Sequence, residues 1–155
     1  MTDPMKVVAI EAVKGNGSAF VLAKDQKRFV YTSTSAVIQS ALVGAFLTRA
    51  EVQLDVIGQA WIKRVNAFGP GSGPLMSPGP FRVSRMATQR TEGVDHLEVF
   101  LVRPPDKNET AYNVFDPLLQ QLFLAAFLPL VPTGIGLDFD YTGNEAIYVR
   151  VGELA

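Results

Sequence analysis

The chain has 155 residues, 48% of them hydrophobic and 19% charged, with a formal net charge of −1. This composition predicts a folded core in one ordinary domain or two very small ones, and it excludes a mainly disordered chain. The lack of cysteine excludes disulfide scaffolds, thiolate metal sites and cysteine nucleophiles, and the single histidine leaves little room for a histidine metal cluster. The near-neutral charge disfavours a surface that neutralises phosphate or anionic lipid.

The amino-terminal stretch lacks the features of a signal peptide. Asp3, Pro4 and Lys6 interrupt the basic flank and the apolar stretch that such a signal needs. The longest apolar run, residues 122–131, is half of the roughly 20 residues that a membrane-spanning helix requires. We therefore expect a cytoplasmic protein without a membrane partner.

The first half of the chain predicts three strands, a helix and two more strands. The predicted strands span residues 6–13, 19–23, 28–31, 52–56 and 61–67. Ser35 is the expected N-cap of a helix that ends at Leu47, and Ile38, Leu42 and Phe46 lie on one face of that helix.

Residues 69–80 hold four glycines and four prolines, which cannot sustain a helix or an internal strand. This stretch predicts a linker between a domain at residues 1–68 and a second domain at residues 81–155.

The second half predicts the same order of elements. Its predicted strands span residues 81–88, 97–102, 110–114, 135–140 and 146–151. Asp116 and Pro117 supply an N-cap followed by proline at the first helical position. The helix that follows, residues 118–128, is apolar nearly all round.

Aligning residues 29–47, 52–56 and 60–65 with their counterparts in the second half gives ten identities in thirty positions. Tyr31 aligns with Tyr112, Gln39 with Gln120, and both insertions fall where connections between elements tolerate them. The sequence therefore predicts a mainly β (α+β) fold made by internal duplication of two small OB-like barrels, each β-β-β-α-β-β.

The capped helix after the third strand, with short loops around it, resembles the OB-fold B subunits of bacterial enterotoxins. Those proteins assemble as rings and bind cell-surface glycans. The resemblance implies that each minimal barrel completes its burial by association with others.

An all-apolar helix must be covered on both sides, either by the other half of its own chain or by another chain. We favour a homo-oligomer. The predicted interface residues are Ile38, Leu42, Phe46, Leu118, Leu119, Leu122, Phe123 and Phe127.

Two acidic and two basic residues recur at matching positions of the predicted final hairpins. Asp55 and Arg64 in the first half, and Asp138 and Arg150 in the second, are expected to form structural ion pairs. We predict no catalytic residues, no metal ligands and no cofactor. His96 is expected in an exposed hairpin loop, without the partners that a general base needs.

The halves differ in charge. The first 74 residues carry eight basic and five acidic residues, and the remaining 81 carry six and ten. Opposite net charge favours contacts between unlike halves, so we expect first and second halves to alternate around any ring or stack.

Taken together, these features favour a non-enzymatic, homo-oligomeric scaffold, or a multivalent binder of protein or glycan. One alternative is a single-strand nucleic-acid-binding protein, for which residues 81–90 supply a basic strip with nearby aromatic residues. A weaker alternative is an enzyme whose site forms between chains from Asp138, Asp140 and arginines.

Overall fold

The computed structural model describes residues 1–15, 17–71, 79–127 and 136–153. This part of the chain is mainly β. The elements of the first half are β1 (Met5–Val13), β2 (Gly17–Lys24), β3 (Lys27–Tyr31), α1 (Ala36–Thr48), β4 (Glu51–Ile57) and β5 (Trp61–Ala67). The elements of the second half are β6 (Arg82–Thr91), β7 (Val94–Val102), β8 (Thr110–Val114), α2 (Pro117–Phe127), β9 (Leu137–Thr142) and β10 (Glu145–Gly152). Most of the predicted linker, residues 72–78, lies outside the described residues.

Both helices begin where their predicted caps stand. The Ser35 hydroxyl accepts a hydrogen bond from the Ile38 amide at 3.3 Å. Asp116 Oδ1 accepts from the amides of Leu118 and Leu119 at 3.0 and 3.2 Å. These bonds satisfy amides that a helix leaves without partners in its first turn.

In the first half, β2 pairs antiparallel with both β1 and β3, and β4 pairs antiparallel with both β1 and β5. A parallel bridge joins Thr32, directly after β3, to Trp61 at the start of β5.

The second half repeats several of these neighbours. β7 pairs antiparallel with β6 and β8, β9 pairs antiparallel with β10, and β10 meets β8 in parallel at Glu145 and Asn113. An antiparallel bridge joins Phe81, directly before β6, to Leu137 at the start of β9.

The two halves share one mixed sheet. β1 pairs antiparallel with β10, from Ala9 opposite Gly152 to Val13 opposite Tyr148. We call this pairing the seam. The sequence predicts two barrels separated by a linker, whereas the strands of both halves are hydrogen-bonded into a continuous sheet through the seam.

The seam requires glycine at its last paired position. Gly152 has a φ of +91°, and a Cβ built there would lie 2.3 Å from the Val8 carbonyl oxygen and 2.9 Å from Phe46 Cε1. Only glycine tolerates both this backbone conformation and this close approach. At Gly152, β10 therefore packs tightly against β1 and against Phe46 of α1.

α2 packs against both halves. It contacts β10 and β6 of its own half, and also β1 and α1 of the first half. Its buried side chains join a single core cluster with buried residues of α1, such as Leu42 and Phe46. Because α2 is covered from two sides by the same chain, it needs almost no polar face.

Candidate functional site

The eight residues predicted at an interface between chains lie mostly inside the single chain. Six are buried: Leu42, Phe46, Leu118, Leu119, Leu122 and Phe123. Ile38 is partly buried, and Phe127 is 38% exposed. At the six buried positions, packing within the single chain takes the place of the expected contact with a second chain. Self-association itself stays a prediction.

A different surface of the two helices faces outward. Val37, Ser40, Ala41 and Gly44 of α1 are exposed, as is Leu124 of α2. We call these five residues the helical face. Neither helix contains a charged residue. The helical face is therefore neutral, with Val37 79% exposed and Leu124 43% exposed.

A groove of about 340 Å³ runs between the two helices. Ser40, Gly44 and Leu124 of the helical face line it, together with Val43, Leu47, Gln121 and Ala125. The Gln121 side-chain amide donates a hydrogen bond to the Ser40 hydroxyl at 3.2 Å across the groove. The small side chains of α1 leave the space that this groove occupies.

His96 lies in a different environment from the one expected. β7 begins at Val94, so His96 is in a strand, and it is only 5% exposed. Its ring stacks on Phe115 with centroids 4.3 Å apart, and Nε2 lies 3.1 Å from Asn113 Oδ1. Nδ1 is buried without a hydrogen-bond partner in the described structure. The β-branched Val94 after the Gly93 turn is the sequence signal that would have extended the strand through His96.

A pocket of about 220 Å³ lies where the β6–β7 hairpin meets α2. We call it the hairpin pocket. It is lined by Thr88, Asp95, His96, Leu97, Gln120 and Leu124. The pocket combines two leucines with several polar groups, which is a common composition of small-ligand sites. Sequence reasoning missed it because its residues come from three separate elements.

Aromatic side chains of the second half pack against one another. The ring of Phe139 lies 4.8 Å from Phe81 and 4.9 Å from Tyr112, and Tyr141 lies 4.8 Å from Tyr112. Burial, and then the neighbouring Tyr141, raise the pKa of the Tyr112 hydroxyl. Phe81, Tyr112 and Phe139 also pack against the core, so in this cluster Tyr141, at 51% exposed, presents the largest accessible ring.

The first expected ion pair is present in the structure. Asp55 stands directly opposite Arg64 in the β4–β5 hairpin, and Arg64 Nε donates to Asp55 Oδ2 at 2.8 Å. The hydrogen bond from Arg64 lowers the pKa of the Asp55 carboxyl. Because the Arg64 side chain is 64% exposed, solvent screens this pair and it contributes little to stability.

The second expected pair has a different partner. Asp138 stands opposite Arg150 in the β9–β10 hairpin, but Arg150 Nη1 donates to Glu11 of β1 at 3.1 Å, and Nε donates to the Glu153 carbonyl at 2.9 Å. β10 lies between β9 and β1, so Arg150 meets a carboxylate across the seam.

Tyr148 completes this arrangement. Its hydroxyl donates to Glu11 Oε2 at 3.0 Å. Burial, followed by the hydrogen bond to the Glu11 carboxylate, raises the pKa of Tyr148 to about 12. Lys14 with Glu145, and Arg28 with Glu153 at 3.1 Å, add two further ion pairs between the halves. Basic residues of the first half thus meet acidic residues of the second within one chain.

The basic strip at residues 81–90 carries acidic partners. Arg85 Nε lies 3.0 Å from Glu109 and its guanidinium lies 3.8 Å from the Phe100 ring centroid, while Arg90 pairs with Asp95 at 3.3 Å. A hydrogen bond from Ser84, and then the one from Arg85, lower the pKa of the Glu109 carboxyl. These carboxylates reduce the positive potential that a phosphate backbone would meet.

Within residues 1–15, 17–71, 79–127 and 136–153, histidine and acidic side chains form no group of three that could hold a metal ion. No helix in the same ranges is long and apolar enough to cross a membrane.

A comparison of the chain with protein-family models, with curated proteins and with solved structures finds no match.

Proposed function

We propose that this chain is a non-enzymatic assembly protein that self-associates through the helical face, with a second copy of the chain as its partner. In this role it acts as a scaffold, or as a multivalent binder of protein or glycan. The observation that carries the proposal is the lack of charge on two neighbouring helices that expose Val37 and Leu124.

Symmetry explains why a neutral surface favours a second copy. In a two-fold contact the same patch is used on both chains, so a charged patch places like charges opposite each other. The helical face avoids this repulsion because Val37, Ser40, Ala41, Gly44 and Leu124 are all uncharged. Leu124 also stands beside the groove, so each chain offers both an apolar projection and a recess to receive one.

The proposal includes two OB-like halves that arose by duplication. In each half the second strand lies between the first and the third, and the fourth pairs with the fifth. The first strand of each half also meets the fourth, by pairing of β1 with β4 and by the bridge from Phe81 to Leu137. The fifth strand approaches the third in parallel, by the bridge from Thr32 to Trp61 and by pairing of β10 with β8. These neighbours are those of a five-stranded OB barrel, which supports the proposal.

The test is the mass of the full chain in solution, measured by light scattering and sedimentation at micromolar concentration. We expect a dimer or a larger assembly for the wild type. Val37→Glu should shift it toward the monomer, because it brings like charges together at the contact. The matched control is Val94→Glu, at a residue that is 54% exposed in the β6–β7 hairpin, and it should keep the wild-type mass.

A wild-type monomer at these concentrations would contradict the proposal. So would a Val94→Glu effect as large as that of Val37→Glu, since the contact would then lie elsewhere or involve no defined face.

Binding of oligonucleotides separates this proposal from the nucleic-acid alternative. Because Arg85 and Arg90 already pair with carboxylates, we expect weak binding of single strands. Tight binding whose affinity falls steeply with added salt would favour the alternative.

A further inference from the structure

The hairpin pocket contains a side-chain amide whose donor nitrogen is already engaged. Gln120 Nε2 lies 2.9 Å from the Val114 carbonyl oxygen. Since a carbonyl oxygen only accepts, the atom facing it is the amide nitrogen. This bond engages the donor side of Gln120 and leaves Oε1 as the atom that can turn to a ligand.

Asp95 adds a negative charge to the same pocket. Its Oδ1 receives the 3.3 Å contact from Arg90 Nη1, and a carboxylate has further lone pairs to offer. The side chains of Arg90 and Asp95 are 67% and 77% exposed, so their attraction is weak and screened. A second cation can therefore share the Asp95 carboxylate.

His96 contributes to the wall of the pocket. With the Asn113 oxygen assigned beside Nε2, the neutral ring donates from Nε2, and Nδ1 carries a lone pair. That buried nitrogen has no partner among the described residues, which costs free energy. Because this nitrogen is buried, its lone pair does not open onto the pocket, and His96 contributes only to the wall.

Leucines supply the rest of the pocket. Leu97 and Leu124 form its apolar wall. Its volume of about 220 Å³ corresponds to about seven water molecules at about 30 Å³ each, which suits a chain of a few methylene groups. A carboxylate in the same pocket as two leucines matches a ligand that has a cationic donor on a short alkyl chain.

We propose that the hairpin pocket binds an alkylammonium group, with its charge toward Asp95 and its alkyl chain against Leu97 and Leu124. The group can come from a free small amine or from a lysine side chain of a partner protein, because both present the same chemistry. This inference does not require self-association, but it shares Leu124 with the helical face, so the His96 and Leu97 signals are the readouts that belong to the pocket alone.

The proposal predicts opposite effects for the two members of one surface ion pair. Asp95→Asn removes the anionic partner and should weaken binding by about two- to fivefold, as expected for an exposed ion pair. Arg90→Gln removes a competing cation and should tighten binding several-fold. Arg85→Gln changes charge equally but acts on Glu109, outside the pocket, so the affinity should stay at the wild-type value.

The experiment is an NMR titration of the isotope-labelled full chain. The probes are n-butylammonium, the neutral 1-butanol and the anionic butyrate. We expect n-butylammonium at millimolar concentrations to shift the His96 ring signals and the Leu97 and Leu124 methyl signals in a saturable way. Butanol should bind more weakly, and butyrate should leave these signals unchanged.

Several outcomes would overturn the proposal. These are the lack of a saturable shift with n-butylammonium, equal binding of butanol, and Asp95→Asn or Arg90→Gln proteins that bind as the wild type does. Arg90 and Asp95 are both exposed, so the two variants should fold, and the amide spectra of the unliganded proteins verify this.

A parallel titration with Nα-acetyl-lysine amide distinguishes the two sources of the group. If it binds at least as well as n-butylammonium, the pocket accepts a lysine side chain, and if only n-butylammonium binds, the ligand is a free amine. Light scattering of the same samples reports assembly separately. A monomer that binds n-butylammonium would therefore contradict the proposed self-association and support the proposed pocket.

Discussion

The β4–β5 and β9–β10 hairpins place the same residue types in the same register but use them differently. Asp55 faces Arg64 in one hairpin, and Asp138 faces Arg150 in the other. Arg64 pairs with the aspartate opposite it, while Arg150 pairs with Glu11 on the neighbouring strand β1. β5 has one antiparallel neighbour, β4, whereas β10 is paired along its length with both β9 and β1. The comparison teaches that the position of a strand in the sheet decides the partner of an arginine.

The largest expected loss of stability comes from a substitution in β10, the strand of the second hairpin that forms the seam. Gly152→Ala should reduce the free energy of unfolding by on the order of 2 kcal/mol or more, because the new Cβ would meet the Val8 carbonyl oxygen at 2.3 Å. Urea denaturation measures this change.

Asn66 of β5 is the control, since it directly follows the aligned residues 60–65 as Gly152 follows their counterparts. Asn66→Ala should stay within about 0.5 kcal/mol of the wild type. Equal losses of unfolding free energy in the two variants would show that the seam does not require glycine at position 152.

A smaller effect compares the two arginines directly. Arg150→Met should cost about 1–2 kcal/mol, because it removes a charged hydrogen bond from the Glu11 carboxylate at a side chain that is only 16% exposed. Arg64→Met should cost about 0–0.5 kcal/mol, because that side chain is mostly exposed.

Adding Glu11→Gln to each arginine variant sharpens this comparison. The double-mutant cycle should give a coupling energy with Arg150 and none with Arg64. Coupling of equal size in both cycles would contradict the assignment of Glu11 to Arg150.

The smallest effect appears only at high pH. Tyr148 has a pKa that is raised from 10.0 to about 12 in the folded chain, so the folded state holds this proton more tightly than the unfolded state. Its contribution to stability is complete below pH 10 and is lost as the pH rises toward about 12. Tyr148→Phe should therefore flatten the decline in unfolding free energy over this range.

Tyr112 also has a raised pKa, so the decline should become shallower rather than vanish. Tyr141→Phe removes the neighbour that helps to raise the pKa of Tyr112, so it should reduce the slope less than Tyr148→Phe does. If Tyr148→Phe left the slope of unfolding free energy against pH unchanged, the contacts at the seam would not raise the pKa of this hydroxyl.

Local signals in the sequence were sufficient for the order of the elements. Ser35 and Asp116 predict helix starts that the structure confirms, because an N-cap depends on residues two or three positions away. The mainly β composition of the fold follows from similar short-range patterns.

The contacts of the candidate sites depend on distant residues and could not be predicted in this way. The hairpin pocket joins Asp95 to Gln120 and Leu124 only because α2 packs beside the β6–β7 hairpin. The apolar pattern of α2 indicates that both of its sides are covered, but it does not tell whether the cover comes from the same chain. Burial of Leu119, Leu122 and Phe123 within the chain answers that question.

The seam also governs when the protein can reach its native state. Glu11 and Arg150 are 139 residues apart, so β1 is synthesised long before the strand that pairs with it. Pairing across such a separation closes a long loop, which raises contact order and slows folding. Until β10 is available, a nascent chain exposes the hydrogen-bonding edge of β1, a strand rich in valine and alanine, to aggregation or to chaperones.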